Sequence, residues 1–268
     1  MKFSEQKSAL ACAVRAARAA GKLMRQNLWL NKRVNSKTQF DIKLELDVRC
    51  QKLIEGILAA GLPGVALLGE EGITGNPNAS ARWVVDPIDG TVNFAYGIPH
   101  ACISIALQTR DDKSSNSGEA KFVTVVGVVY DPFCDELWTA IRGQTARLND
   151  RVIHVSDRSL LRESIVAIGF AKTRASVAKS LPYFEKLVRR VRKVRMMGSA
   201  ALALTYVATG RFDGYVESGI RLWDIAAGGL IVECAGGEFW REPIAGKYAY
   251  RMITTNGLLR KKLALLPK

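Results

Sequence analysis

"WVVDPIDGTVNF", residues 83–94, is the stretch on which the reading of the chain turns. Trp83, Val84 and Val85 read as a buried strand that ends on Asp86. Pro87 follows, then Asp89, Gly90 and Thr91. Two carboxylates this close repel each other, and burying them is costly unless a positive group sits between them. Pro87 fixes φ, and Gly90 permits backbone conformations and close approach that other residues forbid. Both acids can then converge on one point.

An all-oxygen site suits a hard cation such as Mg²⁺, which takes carboxylates, a backbone carbonyl and waters and often shares its shell with a phosphate. The Ile88 carbonyl lies between the two acids. Gly90 and Thr91 begin a turn whose free N–H groups can hold phosphate oxygens. Other acids stand at comparable points: Glu70 after "ALLG", Asp224 at the opening of an apolar helix, and Asp47 at the start of another. Singly, each has an ordinary reading as a loop acid or helix cap. Together, carboxylates, a cation and N–H donors describe metal-assisted phosphoryl transfer to water.

The rest of the chain limits the alternatives. Its 268 residues, 48% of them hydrophobic, suffice for one large globular unit. No apolar run approaches the ~20 residues that span a bilayer. The N-terminal stretch does not read as a signal peptide, because Arg15, Arg18 and Lys22 interrupt it. Cys12, Cys50, Cys102, Cys134 and Cys234 are odd in number and widely spaced, so reduced thiols in a cytoplasmic protein are expected. His100 and His154 are the only histidines, which excludes a histidine-rich metal site. The net charge of +14 gathers in "KLVRRVRKVR" (186–195) and "LLRKK" (258–262), as a solvated face or an attractor of anions.

Periodicity predicts helices at 4–28 and 45–60. Strands are predicted at 65–69, 82–86, 101–109, 121–130 and 136–143, with a loop over "EEGITGNPNASA" and another over "RDDKSSNSGE". A hairpin turns at Asn149-Asp150. Beyond residue 158, strands at 164–170, 193–197, 212–217 and 251–256 alternate with helices at 175–192, 199–210 and 223–237. A short terminal helix follows. The reading is an α+β half, 1–157, carrying most of the acids, and an α/β half, 158–268, carrying Asp224, joined in one compact unit.

Three motifs make a resemblance specific. "LGEEG" (68–72), "WVVDPIDGTVNF" and "WDIAAGGLIVECAGG" (223–237) occur in the order and spacing of the inositol monophosphatases, within the Mg²⁺-dependent, lithium-sensitive phosphatases. The chain resembles that family over nearly its whole length. The resemblance implies an α/β (α+β) fold, a layered αβαβα sandwich shared with fructose-1,6-bisphosphatase, and a cytoplasmic hydrolase that forms homodimers and meets neither membrane nor nucleic acid. It implies two or three Mg²⁺ ions. Glu70, Asp86 and the Ile88 carbonyl would hold the first, and Asp86, Asp89 and Asp224 the second. A third, weaker ion would sit near Glu70. Gly90 and Thr91 would bind phosphate, Thr91 with Glu70 would orient the attacking water, and Asp47 would hydrogen-bond Thr91. Asp89, Gly198, Ala200 and Glu217 would contact the substrate. The implied substrate is an inositol monophosphate, with another sugar phosphate, histidinol phosphate, NADP or a 3′,5′-bisphosphate as alternatives. A polyanion-binding protein on the same fold, using 186–195, is a reading of another class. One stretch departs from the family pattern: "DIKLELD" (41–47) keeps both aspartates but has Leu44 where relatives carry threonine, and Lys37 is offset from their lysine.

Overall fold

The computed structural model describes residues 1–38, 42–76, 79–111, 122–170 and 174–264. The order is α1 (Phe3–Asn27), β1 (Val34–Lys37), β2 (Ile42–Leu44), α2 (Glu45–Gly61), β3 (Ala66–Gly69), β4 (Gly72–Thr74), β5 (Ala81–Asp89) and α3 (Thr91–Ala95). Then come β6 (Cys102–Arg110), β7 (Phe122–Asp131), β8 (Glu136–Ile141), β9 (Arg147–Leu148), β10 (Arg151–Val152), β11 (Ile165–Ile168) and α4 (Arg174–Val188). The chain continues with β12 (Lys193–Arg195), α5 (Ala200–Ala208), β13 (Gly214–Arg221), α6 (Leu222–Cys234), β14 (Glu238–Pro243), β15 (Ala249–Thr255) and α7 (Arg260–Leu263).

Two large sheets and three helical layers result, with β1 and β2 paired as a small separate sheet. The larger sheet has the order β10-β9-β8-β7-β6-β5-β3-β4 and is antiparallel except where β3 runs parallel to β5. Helices α1 and α2 cover one face. Helices α5 and α6 fill the space between the other face and the second sheet, β12-β11-β13-β15-β14. Residues of α4 and α7 pack on the outer face of that second sheet. This is the expected αβαβα sandwich. Because both faces of the large sheet are covered, β6 and β7 read as almost continuous apolar runs rather than alternating ones.

Helix α6 is apolar on every side for the same reason. Its glycines set the layer spacing: a Cβ at Gly228 would lie 2.7 Å from Leu204, and one at Gly229 2.6 Å from the Phe239 ring. Helix α1 achieves close packing with alanines, since Ala9, Ala13, Ala16, Ala17 and Ala20 are fully buried at helical spacing. The basic run closes α4 and forms β12. Its Lys186, Arg189, Arg190, Arg192, Lys193 and Arg195 are exposed, while Leu187 turns into the outer core.

Several sequence expectations need correction. The "EEGITGNPNASA" segment is not all loop, because Gly72–Thr74 returns antiparallel to β3 as β4. The second sheet combines parallel and antiparallel pairs, and β14, absent from the periodicity reading, supplies one edge. Strand β13 runs to Arg221, well beyond residue 217. The hairpin at Asn149-Asp150 is present, with both residues in the left-handed region at φ 46° and 64°, as a tight turn of that hand requires. Asp41 and most of "RDDKSSNSGE" lie outside the described residues. Among the described residues no helix is long and apolar enough to cross a membrane, and all five cysteines are free thiols.

Candidate active site

Strand β5 does not stop at Asp86. It continues to Asp89, with the ladder to β6 interrupted between the two acids, where Pro87 has no N–H to donate. The interruption brings the carboxylates of Asp86 and Asp89 together. Gly90 then turns the chain at φ 94° into α3, and a Cβ there would approach the His100 carbonyl to 2.9 Å. Asp224 arrives from the other sheet's side, in the first turn of α6. Ligand oxygens of Asp86, Asp89 and Asp224 all lie within 4.8 Å of one another.

Each carboxylate is aimed by the backbone. Asp86 Oδ1 accepts from Ile88 N at 3.0 Å. Asp89 Oδ2 accepts from Ser199 Oγ at 2.6 Å and Ala201 N at 2.7 Å, at the start of α5. Asp224 Oδ2 accepts from Arg221 N at 2.8 Å. Ser104 Oγ donates to Trp223 O at 3.0 Å and so ties α6 to the large sheet beside Asp224. Asn93 Nδ2 donates to His100 O at 2.9 Å and Met197 O at 2.8 Å, joining α3 to the Gly198 turn.

Among the described residues, no lysine or arginine forms an ion pair with Asp86, Asp89 or Asp224. Burial pushes the Asp86 carboxyl well above the usual carboxylate range, and the charges of Glu70, Asp89 and Asp224 push it further. Burial also raises Asp89, against the hydrogen bonds from Ser199 and the α5 amides. Asp224 is raised by burial, then by Asp89 and Glu70. Three clustered carboxylates at the end of a buried strand fit a hard divalent cation, which supplies the missing positive charge.

The cluster forms the floor of a cavity of about 640 Å³. Glu70, Asp86, Ile88, Asp89, Gly90, Thr91, Gly198, Ala200, Glu217 and Asp224 all line it, so these sequence candidates meet at one place. Asp47 does not line it, and two of its expected features need correction. Asp47 Oδ2 accepts from Leu44 N at 2.6 Å, closing the start of α2, while the Thr91 hydroxyl donates to Ile88 O at 2.8 Å. No bond joins Asp47 to Thr91. Burial lifts Asp47 to about 7, opposed by the Leu44 N–H and assisted by Glu70 and Glu71. Leu44 is fully buried in the core against α1 and α2, which accounts for an apolar residue at that position. Glu217 is not at an exposed strand end either. It sits mid-strand and partly buried, accepts a hydrogen bond from Tyr215 OH, and occupies space that a Cβ on Gly169 would fill.

Sequence reading missed Ser199, Asn93, Tyr215 and Gly169. Ser199 carries a legible signal, as a serine before an apolar helix caps it, and its Oγ accepts from Leu202 N. Nothing local marks Tyr215 or Gly169, whose roles depend on two strands being adjacent.

A layered sandwich with buried acids gathered at a strand break and two helix starts is the architecture of a metal-dependent phosphomonoesterase. The model of the inositol monophosphatase family matches residues 5–242. Nus factor SuhB of Xylella fastidiosa is 38% identical over 238 residues, 87% of this chain and 81% of that protein. Inositol monophosphatase 2 of Solanum lycopersicum is 38% identical over 259 residues, 92% of this chain and 93% of that one. The crystal structure of the extragenic suppressor protein suhB from Bartonella henselae superposes with a TM-score of 0.85 at 34% identity, covering 96% of this chain and 97% of that chain. The chain belongs to the inositol monophosphatase family, in the Mg²⁺-dependent, lithium-sensitive phosphatase superfamily, and is a phosphoric monoester hydrolase.

Proposed function

We propose that the enzyme hydrolyses the phosphomonoester of a small polyol, with inositol monophosphate as the preferred substrate. The observation that carries this is Glu217, an acid in the same cavity as the acid cluster. A carboxylate there repels phosphate but accepts hydrogen bonds from hydroxyl groups, and a site built for hydroxyls discriminates strongly against esters that lack them. Tyr215 orients that carboxylate and Gly169 leaves it room. The name of the tomato relative supports the same substrate.

In this reading Glu70, Asp86 and the Ile88 carbonyl hold one Mg²⁺, and Asp86, Asp89 and Asp224 hold another, with a weaker third site beside Glu70. Bound Mg²⁺ supplies positive charge to the phosphate oxygens and acidifies water. The amides of Gly90 and Thr91 hold the phosphate. The Thr91 hydroxyl donates a hydrogen bond to Ile88 O, so its lone pairs are free to accept from the attacking water, which Glu70 orients with it. Gly198 and Ala200 border the polyol ring. Asp47 acts at one remove, by fixing the start of α2. The protein forms a homodimer in this reading, as the family resemblance implies.

The test is the ratio of kcat/KM for inositol 1-phosphate to that for an aryl phosphate, in the parent and in Glu217→Ala. We expect the ratio to fall by about tenfold or more, the scale of a lost hydrogen bond to a charged group. An unchanged ratio would remove Glu217 from substrate choice. A second reading, polyanion binding through 186–195, is favoured by the exposure of that run. It gains support if the protein retains RNA at moderate salt and releases no phosphate from any ester.

A further inference from the structure

Helix α6 carries Asp224 in its first turn, and nine residues further on its Glu233 borders a second cleft of about 380 Å³. The rise of an α-helix separates the two by roughly 14 Å. This cleft lies between α6, β14 and the β7 end of the large sheet, and it is lined by Phe122, Thr124, Arg142, Glu233, Trp240 and Arg241 among others.

Its charges do not balance. Arg142 pairs with Glu233 at 2.9 Å and donates from Nε to Thr124 O at 2.6 Å. Arg241 has no ion pair or side-chain hydrogen bond among the described residues, and its Nη1 is buried without a partner. Its guanidinium lies over the Tyr250 ring at 4.8 Å. Behind Phe122 stands Arg82, 3.9 Å from that ring, which donates to the neutral Gln108 amide at 3.0 Å and meets no carboxylate among the described residues. Among the described residues, Arg142 and Arg241 face the single carboxylate of Glu233, and Arg82 stands nearby without one. Burial lowers the proton affinity of Arg241, opposed by Tyr250 and Glu233 and assisted by Arg142, and lowers that of Arg82, opposed by Tyr248 and Tyr250 and assisted by Arg241.

Arg241 and Arg82 are partly buried, and a guanidinium held partly out of water without a counter-charge is costly. What arginine adds is a rigid planar fork that matches an oxyanion with two parallel hydrogen bonds. We propose that the cleft between α6 and β14 is an anion site for a small polyvalent oxyanion of the phosphate type, held by Arg241 with Arg142 and Arg82 in support, and separate from the acid cluster. The source is either a free inorganic anion or the phosphate group of an organic ester, for which Phe122 and Trp240 offer an apolar wall.

The experiment uses the whole chain with a chelator present, so that the acid cluster is metal-free and repels anions. Sulfate is titrated at constant ionic strength against chloride, by calorimetry and by thermal melting. The parent is expected to bind sulfate saturably and to melt higher as it fills. Arg241→Gln should bind at least about tenfold more weakly, by the scale of a charge-assisted hydrogen bond. Arg241→Lys, which keeps charge but loses the fork, should fall between. Arg15→Gln, exposed on α1 across the large sheet from the cleft, should match the parent. A pure packing role for Arg241 gives the reverse, a lower melting temperature with an undiminished sulfate response, and that result overturns the site. So does a response that follows ionic strength alone. If Arg241→Gln fails to fold, Arg142→Gln reads the same loss. Phenyl phosphate in a parallel titration separates the sources: tighter binding than sulfate assigns an organic phosphate, equal binding an inorganic one, and no binding of either rejects the proposal.

Discussion

Asp86 and Asp213 are both aspartates shut away from solvent, at 1% and 0% exposure, and they differ in everything else. Asp213 is fully partnered. It accepts from Ser156 Oγ at 2.5 Å, Arg158 Nε at 2.7 Å and Ile165 N at 2.7 Å, and Arg158 gives it a counter-charge. It ties the segment after β10 to the second sheet. Asp86 takes one backbone hydrogen bond and otherwise faces acids. Burial alone therefore does not mark a functional carboxylate. A buried charge whose neighbours repel it marks a site that a ligand completes. The arginine cleft at the other end of α6 is the same situation with the sign reversed.

The two aspartates should part most widely under mutation. Asp86→Asn should lower kcat with saturating Mg²⁺ by about a thousandfold or more, the scale on which active-site electrostatics act, since the residue is assigned to both ion shells. Its metal-free melting temperature should not fall, because the change relieves repulsion. Near-parental turnover would refute the assignment. Asp213→Asn should do the opposite: losing a charge-assisted hydrogen bond to a partly exposed arginine costs about 1.5–3 kcal/mol, seen in denaturant unfolding, while kcat of the folded enzyme stays near the parent's. Loss of turnover without loss of stability would show that Asp213 belongs to the chemistry.

A smaller effect separates the uncompensated acids from Asp213 through pH. Asp86, Asp89 and Asp224 have folded-state proton affinities raised above those of the unfolded chain, and Asp47 is raised to about 7. The folded, metal-free protein thus binds more protons than the unfolded one. What these groups contribute to stability is fully present below the unfolded carboxylate range, near about pH 4, and is lost as pH rises through the folded values. Melting in chelator should show a falling Tm from about pH 4 to 7 and above, with each raised group losing up to about 1.4 kcal/mol of stability for every pH unit crossed. Saturating Mg²⁺ should flatten the profile. A metal-free Tm that rises over that window would mean the cluster is compensated by something else.

Much of the fold and site is legible in the chain before folding. Asp86, Pro87, Asp89 and Gly90 lie within five residues, so local covalent geometry sets their relation. Long apolar segments announce β6, β7 and α6 because burial on both sides demands them. The Asn149-Asp150 turn announces its hairpin through residues that tolerate left-handed backbone. What stayed hidden depends on neighbours distant in sequence. Strand β14 and the half-buried setting of Glu217 follow from β13, β14 and β15 pairing, which no local pattern encodes. Asp47 shows the same limit from the other side: the resemblance implied a bond to Thr91, but Asp47 Oδ2 accepts from the Leu44 amide, its Oδ1 has no partner, and the Thr91 hydroxyl donates to the Ile88 carbonyl.

That Asp86 and Asp89 converge, and that a cation between them offsets the cost of burying both, follows from the linear chain, because three residues of fixed geometry separate them; the family resemblance adds Glu70 and Asp224. Three relations needed the folded protein. Asp224 crosses from the second layer to meet Asp86. Ser199 and the amides of α5 hold Asp89. Arg241 and Arg142 face the one carboxylate of Glu233. All three come from how two sheets stack on α6, and the energy of a charge depends on what packing brings beside it, which a linear sequence does not state.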